Sequence, residues 1–157
     1  MKYSLSILVE NQPGVLSRVT SLFARRGYNI DSLTVSAGED PSQSLITIVG
    51  EGDAYTLEQM EKQLNKLVPV IKVRELGSIG NVVSGELIYI KVAYDKQSLP
   101  EINQIIHLMQ GQAVHVSPSS ITVKYAGSPA RCSALWELLK PYGVRQVARS
   151  GMIAMEV

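Results

Sequence analysis

The sequence predicts an α+β protein built from two tandem ferredoxin-like domains, each with the element order βαββαβ. Two observations support this. Short apolar runs of strand length alternate with longer segments whose apolar residues recur every three or four positions. The same order of segments occurs in both halves of the chain, and a stretch that contains glycine and serine joins the halves. With right-handed connections, each half closes into an antiparallel four-stranded sheet with two helices on one face.

The composition limits the classes of protein that fit. The chain has 157 residues, of which 45% are hydrophobic, enough for one domain or two small ones. Its 15 basic and 14 acidic residues give a net charge of +1, so neither a nucleic acid nor a membrane is expected as partner. No apolar run approaches the ~20 residues that span a bilayer. The single cysteine, Cys132, excludes an intrachain disulfide and fits the cytoplasmic location that we expect.

The first half begins with a strand, a turn and a helix. Residues 3–9 alternate in polarity and then become fully apolar, which is typical of a strand that enters a core. The chain turns at Pro13-Gly14, and an amphipathic helix begins near Val15. Gly27 suits the position just after the end of this helix, because glycine adopts the left-handed conformation found there.

The remaining elements of the first half are two strands, a helix and a last strand. Residues 30–37 and 44–50 predict strands, and the second of these is apolar on both faces and therefore central. Thr56 and Gln59 have the spacing of a capping box, so the second helix is predicted to begin there. Residues 68–75 form the last strand. A sheet face that is apolar but has no helix must meet a partner, so we expect an oligomer, by default a dimer.

A boundary between two domains is predicted where glycine and serine accumulate. Residues 77–85 hold three glycines and read as a linker. The chain is therefore divided into a first domain of residues 1–76 and a second domain of residues 86–157.

The second half repeats the order of elements. Its first helix is predicted to be capped by Ser98, with Glu101 completing a capping box, and its second helix by Ser128. In that second helix Leu138 is among the residues expected to face inward. The strands are predicted at residues 86–93, 112–117 and 120–126, and either 144–149 or 152–156 supplies the last one.

The turn before the first helix is the candidate binding site. Gly14 allows a ligand to approach the backbone, and the first N–H groups of the helix, together with its dipole, favour an anion. Asn29, beyond the helix, is a polar residue that could face this turn. The turn also has a plainer interpretation as a connection, because Asn, Pro and Gly are ordinary turn residues. A site for a small carboxylate and a simple connection both fit these residues.

The sequence contains no arrangement of residues that indicates catalysis. His107 and His115 fall on different predicted elements, with no carboxylate at metal-ligand spacing. Cys132 has no base in its sequence context, and no glycine-rich phosphate loop is present. We therefore expect a protein that is not an enzyme and has neither catalytic nor metal-binding residues.

Several stretches of the sequence closely resemble a known family. Residues 7–19 are similar to the first strand, turn and helix of an ACT domain. Residues 22–35, 58–68 and 147–151 are similar to the small, regulatory subunit of acetohydroxyacid (acetolactate) synthase. The resemblance extends over almost the whole chain, and it identifies the first domain as an ACT domain.

This resemblance implies a non-catalytic subunit that regulates an enzyme of isoleucine, leucine and valine biosynthesis. Such a subunit binds the large catalytic subunit, raises its activity and confers feedback inhibition by a branched-chain amino acid, usually valine. Thiamine diphosphate, magnesium and FAD are then expected only in the catalytic subunit, and no cofactor is expected in this chain.

The resemblance also implies where the effector binds. In the family, effector sites lie between the ACT domains of two chains. One chain supplies the strand–helix turn, and the other supplies residues around the start of the second strand. Carried onto this sequence, the turn residues are Asn11, Gly14, Val15 and Leu16, and the partner-side residues are Asn29 and Ile30.

Two departures from the family pattern lie in the second domain. Gly85-Glu86 stands where an Arg-Glu pair is common, and His115 stands where an acidic residue is common. Both bear on contact with the catalytic subunit and not on the ACT site.

Two other functions are alternatives: a stand-alone amino-acid-sensing ACT module that regulates another protein, and a small ferredoxin-like enzyme. The sequence lacks a DNA-binding motif for the former and catalytic residues for the latter.

Overall fold

The computed structural model describes residues 1–76 and 82–157 of the chain. In the predicted linker, residues 77–81 lie outside this description, whereas residues 82–85 belong to a strand. No helix in the described ranges is both long and apolar enough to cross a membrane. The elements are β1 (Lys2–Glu10), α1 (Val15–Arg25), β2 (Ser32–Ala37), β3 (Gln43–Glu51), α2 (Ala54–Asn65), β4 (Val70–Glu75), β5 (Val82–Ala93), α3 (Leu99–Leu108), β6 (Gln112–Val116), β7 (Ser120–Gly127), α4 (Pro129–Leu139), a 3-10 helix (Lys140–Tyr142), β8 (Val144–Arg149) and β9 (Ile153–Glu156).

The chain divides into two compact units. The first consists of Met1–Val83 and Met152–Val157, and the second of Ser84–Gly151. The last six residues, which the sequence analysis assigned to the second domain, thus cluster with the first unit. The predicted domain bounds themselves stay a prediction.

The two sheets have corresponding strand orders. The first is β2-β3-β1-β4 and the second is β6-β7-β5-β8, while β9 pairs with β5, a strand that begins in the first unit. All pairings along these two paths are antiparallel; in the first sheet, Ile7 of β1 lies between Ile46 of β3 and Val73 of β4. The predicted α+β architecture is confirmed. Both segments proposed for the last strand of the second half are strands, and β8 completes the second sheet.

The core of the first unit lies between its sheet and its two helices. Side chains alternate along β1, so that every second residue is buried. Full burial of such an aliphatic or aromatic side chain contributes about 1.5–3 kcal/mol. The buried core residues of this unit are Tyr3, Leu5, Ile7, Val9, Val15, Val19, Leu22, Phe23, Ile46, Ile48, Leu57, Met60, Leu64 and Val73.

The opposite face of the first sheet bears on the predicted need for a partner. Leu8 and Leu45 lie on this face, and they line a cavity of about 290 Å³ together with Ala154 and Met155. The end of the chain thus covers part of the apolar face of the central strands. The predicted oligomer is not tested by this observation and stays a prediction.

The capping hydrogen bonds of α2 and α3 differ from the prediction, although Ser98 is the N-cap residue of α3 as predicted. α2 begins before Thr56, and its N-cap is Asp53, whose carboxylate accepts a hydrogen bond from the Thr56 N–H at 2.7 Å. The predicted cap at Thr56 is wrong because an aspartate three residues earlier takes the capping position. At α3, the Asp95 carboxylate accepts the Ser98 N–H at 2.8 Å, and the Ser98 hydroxyl accepts the Asp95 N–H at 2.9 Å. The predicted capping box is therefore replaced by a turn that Asp95 organises.

In the second unit, α4 confirms one prediction and corrects another. The Ser128 hydroxyl accepts the Arg131 N–H at 3.3 Å and caps the helix as predicted. Leu138 is 47% exposed, although it was expected to face inward. The buried face of α4 runs at spacings of three and four residues, which leaves Leu138 outside it. The buried core residues of this unit are Ile88, Ile90, Val92, Ile102, Ile106, Ile121, Val123, Tyr125, Cys132, Leu135 and Leu139.

A mostly buried ion pair joins β5, β8 and α4 in the second unit. The Glu86 side chain is 5% exposed, and both of its carboxylate oxygens accept from the Arg149 guanidinium, with Nη2 to Oε2 at 2.9 Å. Arg149 also donates to the Ser133 hydroxyl at 3.2 Å on α4. The hydrogen bonds to Glu86 raise the pKa of Arg149. Glu86, which stands in the Gly85-Glu86 pair noted in the sequence, thus has a structural partner in this chain.

Arg149→Ala is expected to destabilise the protein by roughly 3 kcal/mol, because it leaves the Glu86 carboxylate buried without its cation. Urea unfolding followed by circular dichroism measures the loss. Lys62→Ala is the control: it breaks an ion pair with Glu58 whose side chains are both 58% exposed, so little change is expected. Equal stability of Arg149→Ala and the unaltered protein would contradict this account of the pair.

Candidate functional site

Gly14 shapes the turn that leads into α1. It is the N-cap residue, with φ +85° and ψ −8°, a left-handed conformation that favours glycine. Apart from its two neighbours in the chain and the adjacent helix backbone, a Cβ placed on Gly14 would have no heavy atom of the described residues within 4 Å. The space in front of the helix is therefore open, as the sequence analysis expected of a ligand site.

The first turn of α1 presents unpaired backbone donors. Among the described residues, no side chain caps this helix, and its first turn holds no acidic residue. The Arg18 N–H bonds to the Gly14 carbonyl at 3.1 Å, but no acceptor in the described ranges meets the N–H of Leu16 or Ser17. These donors and the positive end of the helix dipole suit a carboxylate.

Asn11, the residue after β1, is held by the turn between β2 and β3. Its N–H donates to the Ser42 carbonyl at 2.7 Å, and its side-chain Nδ2 donates to the Pro41 carbonyl at 3.0 Å. The amide nitrogen is therefore engaged within the fold. The Oδ1 atom is the part of this side chain that can accept a hydrogen bond from a ligand, such as one from an ammonium group.

Val15 and Leu16 differ in their exposure. Val15 is buried, with 6% exposure, and packs in the core beneath α1. Leu16 is 39% exposed and offers an apolar surface beside the open turn. In the predicted site, the side chain that can contact a ligand is therefore that of Leu16, while Val15 can contribute through its backbone.

The other predicted residues lie in the segment between α1 and β2. The exposed Asn29 side chain donates from Nδ2 to the Asp31 carboxylate at 2.9 Å. Ile30 is half-buried and packs against the core of the first unit. The Asp31 N–H donates to the Val49 carbonyl at 2.9 Å, which fixes this segment to β3.

The two groups of predicted residues lie far apart within one chain. Gly14 directly precedes α1, and Asn29 comes after its last residue, Arg25. The helix has 11 residues, and at 1.5 Å per residue it is about 16 Å long. A single small amino acid cannot contact both ends at once. If both groups contact one effector, two chains must supply them, which agrees with the predicted homodimer; the site residues and the dimer stay predictions.

Tyr3 and Gly50 pack behind Asn29, and the sequence analysis did not identify this contact. A Cβ on Gly50 would lie 2.7 Å from the Tyr3 hydroxyl oxygen and 3.0 Å from the Asn29 carbonyl oxygen. The Tyr3 hydroxyl is buried and has no hydrogen-bond partner among the described residues. Burial is the main cause that raises the pKa of Tyr3. The sequence signal for this contact was a glycine inside an apolar strand, because such a glycine often marks a place where another group packs closely against the backbone.

Gly50→Ala is expected to destabilise the first unit by about 1–3 kcal/mol, because the added methyl group overlaps Tyr3 and the Asn29 backbone. Thermal and urea unfolding measure the change. Gly38→Ala is the matched control, since a Cβ at Gly38 meets its nearest atom at an ordinary 3.5 Å. If the two variants are equally stable, the close packing behind Asn29 does not constrain the fold.

The two histidines and the cysteine do not form a common catalytic or metal-binding site. His107 and His115 are exposed on α3 and β6, respectively. Cys132 is fully buried, its Sγ lies 3.7 Å from the Glu86 carbonyl oxygen, and burial raises the pKa of its thiol. In residues 1–76 and 82–157, no group of three or more His, Cys, Asp or Glu residues is placed to hold a metal ion.

Comparison with protein families assigns both parts of the chain. Residues 5–72 match the family model described as "AHAS small subunit-like ACT domain". Residues 85–157 match the family model described as "Small subunit of acetolactate synthase". The first match includes all six predicted effector residues.

Similar proteins and structures carry the same description. The acetolactate synthase small subunit of Mycolicibacterium smegmatis is 45% identical over 153 residues, which cover 98% of this chain and 89% of that protein. The small subunit of acetolactate synthase isozyme 3 of Escherichia coli is 41% identical over 156 residues, covering 99% and 95% of the two chains. The crystal structure of the acetolactate synthase small subunit of Thermotoga maritima superposes with a TM-score of 0.92, at 38% identity, covering 100% of this chain and 98% of that one.

Proposed function

Because the chain belongs to the family of acetolactate synthase small subunits, we propose that it is a non-catalytic regulatory subunit whose ACT domain binds valine. It binds the large catalytic subunit, raises its activity and makes that activity sensitive to inhibition by valine. Thiamine diphosphate, magnesium and FAD belong to the catalytic subunit in this proposal, and this chain holds no cofactor. The proposed location is the cytoplasm, which agrees with a buried, unpaired Cys132.

The open N-terminus of α1 is the observation that carries the proposal. An α-amino acid has a carboxylate and an ammonium group on neighbouring atoms. The unpaired N–H groups of Leu16 and Ser17 suit the carboxylate. The ammonium group needs acceptors, and the Oδ1 atoms of Asn11 and Asn29 provide them, since the Nδ2 atom of each donates within the fold.

The apolar part of the proposed site consists of Leu16 and Ile30. Such a surface distinguishes aliphatic side chains weakly, by about 1–3 kcal/mol for each methylene group. Valine is proposed as the effector because members of the family usually respond to it, and this apolar surface by itself does not rank valine, leucine and isoleucine.

The proposed site is shared between two chains. The turn at Gly14 of one protomer faces Asn29 of the partner subunit, and the symmetry of a homodimer creates two equivalent sites. Each effector molecule then contacts both protomers, so that its binding energy depends on how the protomers are arranged.

The experiment is reconstitution with the catalytic subunit from the same source, assayed with and without valine, together with calorimetry of the isolated chain. We expect higher activity on addition of the chain, inhibition by valine and a measurable heat of valine binding. The absence of heat with all three branched-chain amino acids at millimolar concentration would refute effector binding. Valine binding without any effect on the catalytic subunit would favour the stand-alone sensing module.

Gly14→Asp is expected to raise the valine concentration for half-inhibition at least tenfold, a loss of about 1.4 kcal/mol of binding free energy. The new carboxylate occupies the helix N-terminus and repels that of the effector. Gly14→Asn is the matched control, because it has the same shape and backbone strain without the charge, and we expect it to stay more sensitive than Gly14→Asp. Normal inhibition of the Gly14→Asp variant would show that the site lies elsewhere.

Mixed dimers test whether the site spans two chains. Gly14→Asp and Asn29→Ala are each expected to reduce inhibition as pure proteins. In a mixed dimer, one site carries both changes and the other carries neither, so inhibition by valine is expected to return in part when the two variants are co-expressed. Restoration is measured as maximal inhibition in the reconstituted enzyme. If the site lay within one chain, mixing would restore nothing.

A further inference from the structure

The last six residues of the chain, Met152–Val157, form a segment that we name the C-terminal strap. The strap belongs to the first unit, although it directly follows the second unit, which ends at Gly151. Gly151 has φ +81°, a turn conformation that allows the chain to change direction there. The strap contains the short strand β9.

The strap is attached to both edge strands of the first sheet. In the order β2-β3-β1-β4, the edges are β2 and β4. On β2, the Thr34 hydroxyl donates to the Met152 carbonyl at 2.8 Å, and the Met152 N–H donates to the Ser32 hydroxyl at 3.3 Å. On β4, Arg74 forms an ion pair with Glu156. The strap therefore crosses the sheet face that is opposite to the helices.

Apart from the pairing of β9 with β5, the strap has few buried contacts. Ala154 is buried, with 8% exposure, but Ile153 and Met155 are 63% and 66% exposed. The side chains of Arg74 and Glu156 are 44% and 42% exposed, so this ion pair is weak and is screened by salt. The cavity of about 290 Å³ adjoins the strap. A segment with so few buried contacts opens at low cost.

The attachment on β2 adjoins the proposed effector residues. Ser32 begins β2, two residues after Ile30 and three after Asn29. The segment between them is stiff, because the Asn29 side chain and the Asp31 N–H are both hydrogen-bonded. A ligand that shifts Asn29 therefore shifts Ser32 as well, and with it the hydrogen bond that holds Met152.

We propose that Ser32, Thr34 and Arg74 are positioning residues that couple the effector site to the C-terminal strap, and that the effector favours the docked strap. The inference rests on the proposed function. Coupling requires that the effector bind the two strap states with different affinity, and it is reciprocal, so loss of the strap weakens effector binding by the same factor by which the effector stabilises docking. The strap directly follows the second unit in the chain.

Hydrogen exchange in the full-length protein tests the coupling directly. With saturating valine, exchange of the Met152 amide and of the β9 amides is expected to slow at least about fivefold, the lower end of typical allosteric couplings. A merely structural strap would exchange at the same rate with and without valine. Unchanged rates in a protein that binds valine by calorimetry would overturn the inference and leave the proposed function standing.

Charge exchange across the ion pair tests the attachment. Arg74→Glu places two carboxylates together, and the valine concentration for half-inhibition is expected to rise at least about threefold, with activation in the absence of valine unchanged. Arg74→Glu combined with Glu156→Arg restores the attraction and is expected to restore the response. Lys62→Glu is the control, since it disrupts an exposed ion pair in the same unit that has no link to the strap.

The outcomes separate the two proposals. If the unaltered chain neither binds valine nor activates the catalytic subunit, the proposed function fails. If the unaltered chain responds to valine and Arg74→Glu responds identically, the coupling through the strap is wrong. A lost response that the double exchange does not restore would also overturn the role assigned to the ion pair. A chain shortened after Gly151 provides an independent measurement, with weakened inhibition expected and normal inhibition contradicting the inference.

Discussion

The length of α1 determines how the first unit can bind a small ligand. In a βαββαβ unit, the helix that follows β1 runs antiparallel to that strand. Its two ends therefore lie near opposite ends of the strands of the sheet. The open turn at Gly14 and the polar residue Asn29 are therefore separated by the whole of an 11-residue helix. A ligand that needs both groups must bring two chains together. In the proposed site, effector binding and subunit pairing would then be a single event, because of the length of this helix.

A sheet with helices on one face leaves the other face to be covered by something else. In the first unit, part of that cover is the chain's own end, held on β2 by Ser32 and Thr34 and on β4 by Arg74. This cover has few buried contacts, unlike the core on the helix side. The two faces of the sheet therefore differ in how readily their contacts rearrange. The close-packed helix side maintains the fold, whereas on the opposite side the C-terminal strap can respond to small displacements of β2.

Local sequence signals predicted the features that depend on contacts between residues close in the sequence. They failed where the contact joins residues far apart in the sequence, or where two residues could take the same position. The alternation in β1 and the glycines on either side of α1 were sufficient to predict these first two elements. The cap at Ser128 was predicted correctly, whereas at α2 the capping residue is Asp53 and not Thr56. The place of the strap depends on a hydrogen bond between residues 118 positions apart, which no window of sequence reveals. Likewise, only the folded chain brings Tyr3 against Gly50.

The candidate site was the least visible feature in the sequence, for a physical reason. Its main groups are backbone N–H donors, which every residue other than proline possesses, and what exposes them is the left-handed conformation of a single glycine. A common turn and an anion site therefore have nearly the same sequence, and the family resemblance was needed to choose between them. Because backbone donors recognise any α-amino acid equally, the choice among amino acids must come from the side chains that the two chains place around the ligand. In the proposed site, selectivity is thus a property of the interface between chains, and substitutions at that interface are expected to alter which amino acid is sensed without altering how the carboxylate is held.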